Sequence, residues 1–510
     1  AADEPREEQP LVDAQPARAR PATRAGPGRG GVAGGDGGGA GRPRPETMRP
    51  RRPGGPGDGA PRHLNATLGT ATLTLLVVGD ILGAGIYVLV GEVADDLGGL
   101  LWAPFLVAFA MASLTALSYA ELVCAHPHAG GSAHYVQLAF GRPALTFLVG
   151  FVVTASAIST AAAVSLAVGT EYLGEYVDVP ASTIAVTLVA VLSVVVWVGV
   201  RESAIATVTM TAIEVTGLVL VITAGVVGVA GGDGNVGNLT DAGGDWGATA
   251  LLGAAALAFF AYLGFEDLVH LSEEVRDPRR SFPIALLGGL GVVGALYLGV
   301  TLSVGLLVDP AGLRGSGNPL LEVLEFGPVP PGLFSAIAVF AVTNTALIAL
   351  TTASRQVYGL AEDGSIPRRL GHVSRRGTPD LAIVGVAAVV ATLAVTGGVR
   401  VLAGTTVVLL LGVFTTVNVV VLVLRRSPRP APDDVDPGGR RPFRTPTPLP
   451  VLGALGCGAL WVDALVRGGW PLLARLAALL ALGAVLYGLA RWRGGAEGAP
   501  GPDAPPADRP

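Results

Sequence analysis

Two stretches of this sequence put acids and glycines where an apolar helix would otherwise run unbroken. The first reads Val78-Gly79-Asp80-Ile81-Leu82-Gly83-Ala84-Gly85-Ile86-Tyr87, and the second Phe259-Phe260-Ala261-Tyr262-Leu263-Gly264-Phe265-Glu266-Asp267. Close helix packing in a membrane explains glycines alone. It does not explain Asp80, because an unpaired carboxylate at mid-membrane is costly unless partnered or neutralised. A Gly-Ala-Gly step can unwind a helix and free backbone N–H and C=O groups. Freed N–H groups at the start of a half-helix sit at the positive end of its dipole and suit a carboxylate. Asp80, Glu266 and Asp267 could be proton sites, partners of a cationic substrate, or caps for unwound backbone.

The elements that position these stretches follow from composition and hydropathy. Of 510 residues, 51% are apolar and 14% charged, against about 25% charged in ordinary soluble domains. The mean hydropathy is +0.57. All 34 basic residues are arginine, so lysine Schiff bases and phosphate-loop lysines are excluded. A water-soluble enzyme of this size could not cover its surface with so few charges. Cys124 and Cys457 are too few for a disulfide scaffold or a thiolate metal site. A bilayer core needs roughly 20 residues of helix. Twelve apolar stretches meet that length, at about 68–91, 100–123, 144–168, 180–200, 204–230, 247–271, 284–308, 332–360, 380–397, 400–424, 448–466 and 470–490. Spans four and five are separated only by the polar group around Arg201-Glu202-Ser203.

Arginine placement tests the count. With twelve spans, the N-terminal arginines, Arg142, Arg201, Arg276, Arg279, Arg280, Arg355, Arg368, Arg369, Arg375, Arg376, Arg425, Arg426, Arg429, Arg440, Arg441, Arg444, Arg491 and Arg493 share one side. The other side has Arg314, Arg400, Arg467 and Arg475, with Asp95, Asp96, Glu175, Asp178, Asp233, Asp241, Asp245 and Asp309. The positive-inside rule then predicts cytoplasmic termini in a multi-pass protein of the cytoplasmic membrane. Gly85 and Gly264 lie 179 residues apart, in spans 1 and 6. Five spans between them means opposite entry into the membrane, the mark of a five-plus-five inverted repeat whose broken helices 1 and 6 meet at mid-membrane. The expected fold is an all-α membrane protein of 12 transmembrane helices, with spans 11 and 12 as two extra helices outside the repeat.

Several motifs resemble those of the amino acid–polyamine–organocation permeases. Gly83-Ala84-Gly85-Ile86-Tyr87 is similar to their first-helix motif, and Phe260-Ala261-Tyr262-Leu263-Gly264-Phe265-Glu266 to their sixth. Glu273-Glu274-Val275-Arg276-Asp277-Pro278-Arg279-Arg280-Ser281-Phe282-Pro283 resembles the loop that follows. Tyr119-Ala120-Glu121-Leu122 with Pro127 and Gly130-Gly131-Ser132 resembles the loop after helix two, and Ser354 to Gly364 with Pro367 the end of helix eight. The matches run in order from about residue 68 to 380. The resemblance implies the broken-helix symporter fold and alternating access. It implies that N–H groups around Gly83, Ala84 and Gly85, with Ile86 beside them, hold a substrate α-carboxylate. Carbonyls around Phe260, Ala261 and Leu263, next to Gly264, would receive the α-ammonium, and Phe260 is a candidate aromatic gate. Four segments result: a 1–65 tail rich in Arg, Pro and Gly and expected to be disordered, a 66–430 inverted-repeat transport core of spans 1–10, 431–493 carrying spans 11–12, and a disordered 494–510 tail.

The sequence departs from some proton-coupled relatives, which carry a lysine on helix five. Here the stretch is Thr211-Ala212-Ile213-Glu214-Val215-Thr216-Gly217-Leu218, and Glu214 takes that place. A buried acid there could bind and release a proton or coordinate a cation, or simply make a polar contact between helices. Asp80, Glu266 and Asp267 are further coupling candidates. Glu121 is expected to be a loop contact, and His270 a satisfied polar residue more often than a proton shuttle. His126, His128 and His134 are too loosely spaced to make a strong metal site. The basic run Arg276 to Arg280 is a topology signal, with a lipid headgroup contact as its other use.

The expected function is secondary active transport of amino acids by alternating access, proton-coupled or by exchange. Polyamine or cationic amino acid transport or antiport is the near alternative. A transport-like membrane sensor, signalling through its tail, belongs to another class. No nucleotide-binding loop, nucleophile–base pair or metal constellation stands out, so no enzyme, cofactor or metal is expected beyond a proton or other cation as coupling ion. The expected partners are small amine-containing solutes and membrane lipids, not nucleic acid.

Overall fold

The computed structural model describes residues 68–128, 130–174, 177–199, 204–242, 247–313, 318–426 and 443–496. The expected tail at 1–65, residues 431–442 and the polar link Arg201-Glu202-Ser203 lie outside the described residues. So do Glu175, Asp245, Arg314, Arg429, Arg440 and Arg441.

The helices are α1 Thr70–Ile81, α2 Ala84–Leu97, α3 Trp102–Ala125, α4 Gly131–Phe140, α5 Pro143–Ala167, α6 Ala181–Val198, α7 Ala204–Gly231, α8 Ala248–Ala258, α9 Pro278–Leu307, α10 Pro310–Leu313, α11 Pro319–Leu324, α12 Pro331–Glu362, α13 Asp380–Thr396, α14 Val399–Arg426, α15 Pro448–Arg467 and α16 Gly469–Ala496. A π-turn, Val168–Leu173, extends α5. After α8, 3₁₀ segments cover Phe259–Tyr262 and Asp267–Glu274. Starts and stops follow local chemistry. Pro143, Pro278, Pro331 and Pro448 open helices where a missing N–H costs nothing. Gly141 and Gly199 end helices in the left-handed region, at φ 61° and 79°.

Among the described residues ten stretches are long and apolar enough to cross a membrane, with Thr70–Ile81 and Asp380–Thr396 as shorter apolar helices. With the stretch Ala84–Ala125 divided between α2 and α3, they group into the twelve passes that the hydropathy predicts. α1 and α2 together form the first pass, α3 the second, and α5, α6 and α7 the next three. α8 with the two 3₁₀ segments is the sixth, and α9, α12, α13, α14, α15 and α16 complete the set. Among the described residues there is no strand, only a bridge between Leu68 and Val275. There Leu68 N–H donates to Glu274 O at 3.0 Å and Arg276 N–H to Leu68 O at 3.1 Å. The start of the first pass is thereby tied to the end of the sixth. α16 continues to Ala496, two residues past the expected start of the C-terminal tail at 494.

Small residues allow the close packing. α1 and α3 lie against α9, and α5 against α12 and α14. A Cβ on Gly294 of α9 would stand 2.6 Å from the Phe109 ring of α3. Without a hydrophobic drive between helices in lipid, such approaches and buried polar contacts supply cohesion. Ser118 Oγ donates to Asn418 Oδ1 at 2.6 Å, and Asn418 Nδ2 to Thr115 Oγ1 at 3.1 Å, fastening α3 to α14.

Glu121 corrects the sequence expectation. A loop contact is only part of its role: it is buried on α3 and paired side-on with Arg425 of α14, Nε to Oε1 at 2.7 Å and Nη2 to Oε2 at 2.5 Å. Thr445 N–H also donates to Glu121, at 2.8 Å, and Arg425 donates to Thr445 O at 2.6 Å. Removing one partner leaves an uncompensated buried charge. We predict that Arg425→Met lowers stability by about 3–5 kcal/mol. The double variant with Glu121→Leu should recover part of that loss, as thermal unfolding in detergent will show.

Candidate functional site

Each broken pass leaves backbone groups without helical partners inside the apolar layer, where an unsatisfied group is expensive. The first break falls at Leu82 and Gly83, and Ala84 and Gly85 already belong to α2. The unwound step is therefore shorter than the Gly-Ala-Gly run suggests. Tyr297 of α9 donates its hydroxyl to Ile81 O at 3.0 Å, satisfying the end of α1. Ala84 N–H, at the start of α2, donates to Thr345 Oγ1 of α12 at 2.7 Å.

The second break runs from Leu263, which is extended, through Gly264 at φ 122°. Glu266 caps it, accepting the Gly264 N–H on Oε2 at 2.9 Å. The two breaks interlock through backbone. The Cα face of Gly85 is filled by Ala261, leaving no room for a Cβ. A Cβ on Gly264 would stand 2.6 Å from Asp80 O. Only glycine combines that φ with that approach.

Beside the crossing lies a pocket of 90 Å³ lined by Asp80, Leu263, Gly264, Glu266 and Asp267. Its other walls are Ser156 and Thr160 of α5, Thr345, Thr352 and Gln356 of α12, and Leu410 of α14. A wider cavity of 470 Å³ shares Asp80, Asp267, Thr352 and Gln356 and adds Thr211, His270, Asn344 and Arg355. His270 and Arg355 are exposed at its rim. That rim lies at the end of the bundle where α3, α6, α12 and α14 finish, the arginine-rich end. At the opposite end, Arg400 of α14 clasps α2. Its Nη1 donates to Glu92 O at 2.8 Å and to Glu92 Oε2 at 3.3 Å, and its Nη2 pairs with Asp96. The broken helices thus face the wider cavity on one side and the ion pairs of Arg400 on the other.

The residues singled out from sequence fall into four groups. Asp80, Leu263, Gly264, Glu266 and Asp267 line the cavity. Gly83, Ala84, Gly85 and Ala261 are buried behind it and line neither cavity; Ala84 N–H reaches the cavity wall only through Thr345, and Gly85 and Ala261 meet in the interlock. Ile86 and Phe260 are 0% and 5% exposed, and neither lines either cavity. Glu214 is fully buried on α7, one helix away: Asn344 Nδ2 donates to its Oε1 at 3.1 Å, while Oε2 has no hydrogen-bond partner. Asn344 lines the wider cavity, so Glu214 reaches it through one side chain. Tyr87 of α2 donates to Glu214 O at 2.7 Å.

Sequence reasoning missed Ser156, Thr160, Thr345 and Thr352. They sit in ordinary apolar helices, where hydroxyls usually bond back to their own backbone, as Thr345 also does to Ala341 O. Among the described residues, no group of three or more His, Cys, Asp or Glu is placed to hold a metal. Burial pulls His126, in the loop after α3, and His134, on α4, below the usual histidine range, favouring neutral rings. His128 Nδ1 lies 3.0 Å from Glu273 Oε1.

A bundle with two interlocked broken helices and a polar cavity at their junction defines a membrane transporter. The sequence matches the amino acid permease family over residues 68–469, and the chain belongs to that family. It is a permease and not an enzyme. An uncharacterized transporter of Mycobacterium tuberculosis is 31% identical over 450 residues, covering 86% of this chain and 94% of that protein. The cationic amino acid transporter 9, chloroplastic, of Arabidopsis thaliana is 32% identical over 329 residues, 59% of this chain and 56% of its own. The methylthioribose transporter of Bacillus subtilis is 27% identical over 437 residues, 78% and 88% of the two chains.

The interlock makes a sharp prediction. Gly264→Ala should lower the melting temperature in detergent, since strain at such a position costs about 1–3 kcal/mol. Gly291→Ala on α9, whose added Cβ meets nothing within 4 Å, should leave melting unchanged. Equal melting of the two variants would contradict the crossing.

Proposed function

We propose that this chain moves amino acids across the cytoplasmic membrane by secondary active transport, with both termini cytoplasmic. The observation that carries the reading is the cavity joining the two helix breaks to the arginine-rich end. The start of α2, at Gly83, Ala84 and Gly85, offers the positive end of a half-helix to an α-carboxylate. Thr345 Oγ1 already takes the Ala84 N–H, as a carboxylate oxygen would. A substrate therefore displaces that hydroxyl or bonds to it. Of the carbonyls that the resemblance points to for the α-ammonium, we assign Leu263, which lines the cavity, as the first partner; Phe260 and Ala261 lie buried behind it.

Coupling is assigned to a proton, through Glu214. One of its carboxyl oxygens is buried without a partner, and Asn344 links the other to the cavity. A charge there demands compensation, and a proton supplies it. Exchange of one substrate for another would use the same site without net proton movement. Asp80, Glu266 and Asp267 gather three carboxyls at one cavity, which favours a cationic substrate as the second reading. The name of the Arabidopsis relative points the same way.

The test is uptake into liposomes of labelled neutral and cationic amino acids and polyamines, with and without an imposed proton gradient. Accumulation or exchange of at least one of these is expected. No movement of any amine-containing solute would overturn the reading. Glu214→Gln should flatten the dependence of uptake on external pH while leaving counterflow intact. An unchanged pH profile would remove Glu214 from coupling.

A further inference from the structure

We propose that the arginine-rich end carries a binding site for an anionic phospholipid, between the end of α6, the second half of α12 and the turn before α13. A second cavity, of 450 Å³, opens there, separate from the junction of the broken helices. Its walls are Val195 and Val196 of α6 and Leu347 and Thr351 of α12. Arg355 of α12 and Arg376 of the turn also line it. Both arginines are exposed, and neither forms an ion pair among the described residues. Two guanidinium groups without a carboxylate, at one cavity, call for an anion that accepts forked hydrogen bonds, and phosphate has that geometry.

The site is built rather than accidental. Arg376 lies over the Trp197 ring, 4.6 Å from its centroid, which fixes where the guanidinium points. The turn carrying it is held by Ser374 N–H to Thr378 O at 2.8 Å and Gly377 N–H to Ser374 O at 2.9 Å. Arg376 N–H donates to Ser374 Oγ at 3.2 Å, and Thr378 Oγ1 donates to Trp197 O at 3.0 Å, pinning the turn to α6. Trp197 is 41% exposed, as suits a tryptophan at the level of headgroups.

The surroundings select a lipid over free phosphate. α6 is an outer helix, and Val191, Val194 and Val198 are 56%, 57% and 50% exposed on its surface, leading away from the arginines along the apolar layer. A basic pocket between transmembrane helices, with an apolar track beside it, matches a headgroup and its acyl chains. Arg355 also lines the cavity at the helix breaks, so a bound headgroup holds one positive charge of that cavity's rim in an ion pair. The proposal does not depend on which solute is transported.

The test uses the full chain in phosphatidylcholine vesicles doped with brominated phosphatidylglycerol or brominated phosphatidylcholine. Tryptophan quenching is read as the difference between the wild type and Trp197→Phe. Half-maximal quenching is expected at about tenfold less of the anionic lipid than of the zwitterionic one. The double variant Arg355→Gln, Arg376→Gln should lose that preference, while Arg369→Gln on the same face keeps it. Glycerol 3-phosphate should not displace the brominated lipid. Equal quenching by the two lipids, a preference that survives the double variant or disappears with Arg369→Gln, or displacement by glycerol 3-phosphate would each overturn the proposal. Unchanged melting temperatures of the variants keep misfolding from mimicking loss of the site.

Discussion

A membrane helix that stops halfway must satisfy its freed backbone groups without water, and the architecture around residues 82–83 and 263–266 is arranged to do so. The two breaks solve the problem together. Gly85 lies on Ala261, and Gly264 lies on the end of α1, so each interruption is covered by the other's main chain. Three side chains complete the work: Tyr297 at Ile81 O, Thr345 at Ala84 N–H and Glu266 at Gly264 N–H. Two of these, Thr345 and Glu266, also line the cavity. The groups that make the breaks tolerable are therefore among those the proposed substrate would meet first.

That arrangement links stability to conformational change. A ligand that takes over hydrogen bonds now held by Thr345 alters how the break is satisfied, and differential contacts of this kind are what shift a two-state equilibrium. The ends of the bundle are unequal in the same sense. Arg400 ties α14 to Glu92 and Asp96 of α2 at one end. At the other, the cavity opens between α1, α7 and α12. The Glu121–Arg425 pair joins α3 to α14 on that open side, and it is much more deeply buried than the Arg400 cluster. Exposed ion pairs are worth little and break readily, whereas buried ones resist separation. In the proposed transport cycle, the clasp at Arg400 would be the contact suited to opening, and the one at Arg425 would be suited to holding.

Much of this was legible in the sequence because the membrane imposes simple rules. Twelve passes follow from length and hydropathy, and arginine segregation fixes their alternation. The 179-residue separation of Gly85 from Gly264 points to two breaks entering the membrane from opposite sides. What stayed hidden depends on tertiary contact. Nothing local distinguishes Thr345 or Ser156 from other helical hydroxyls, and only the fold brings them to the cavity. Glu121 was expected to contact only a loop, because its buried partner, Arg425, lies 304 positions away. The Gly-Ala-Gly run suggested a longer unwound step than forms, because glycine permits helix as well as breaking it. The acids proposed for coupling share a type, but their neighbours divide them: Glu266 caps backbone, Asp80 and Asp267 line the cavity, and Glu214 lies behind Asn344.

The central claim is that the junction of the two broken helices is where substrate binds, reached from the arginine-rich end. Thr352 lines both connected cavities there, and the native Cys124 and Cys457 are buried. A Thr352→Cys variant, treated with a membrane-impermeant maleimide from each side in turn, tests the claim directly. The account predicts labelling from the arginine-rich side, slowed by at least one amino acid. Labelling only from the opposite side, or at a rate that no amino acid or polyamine alters, would contradict it.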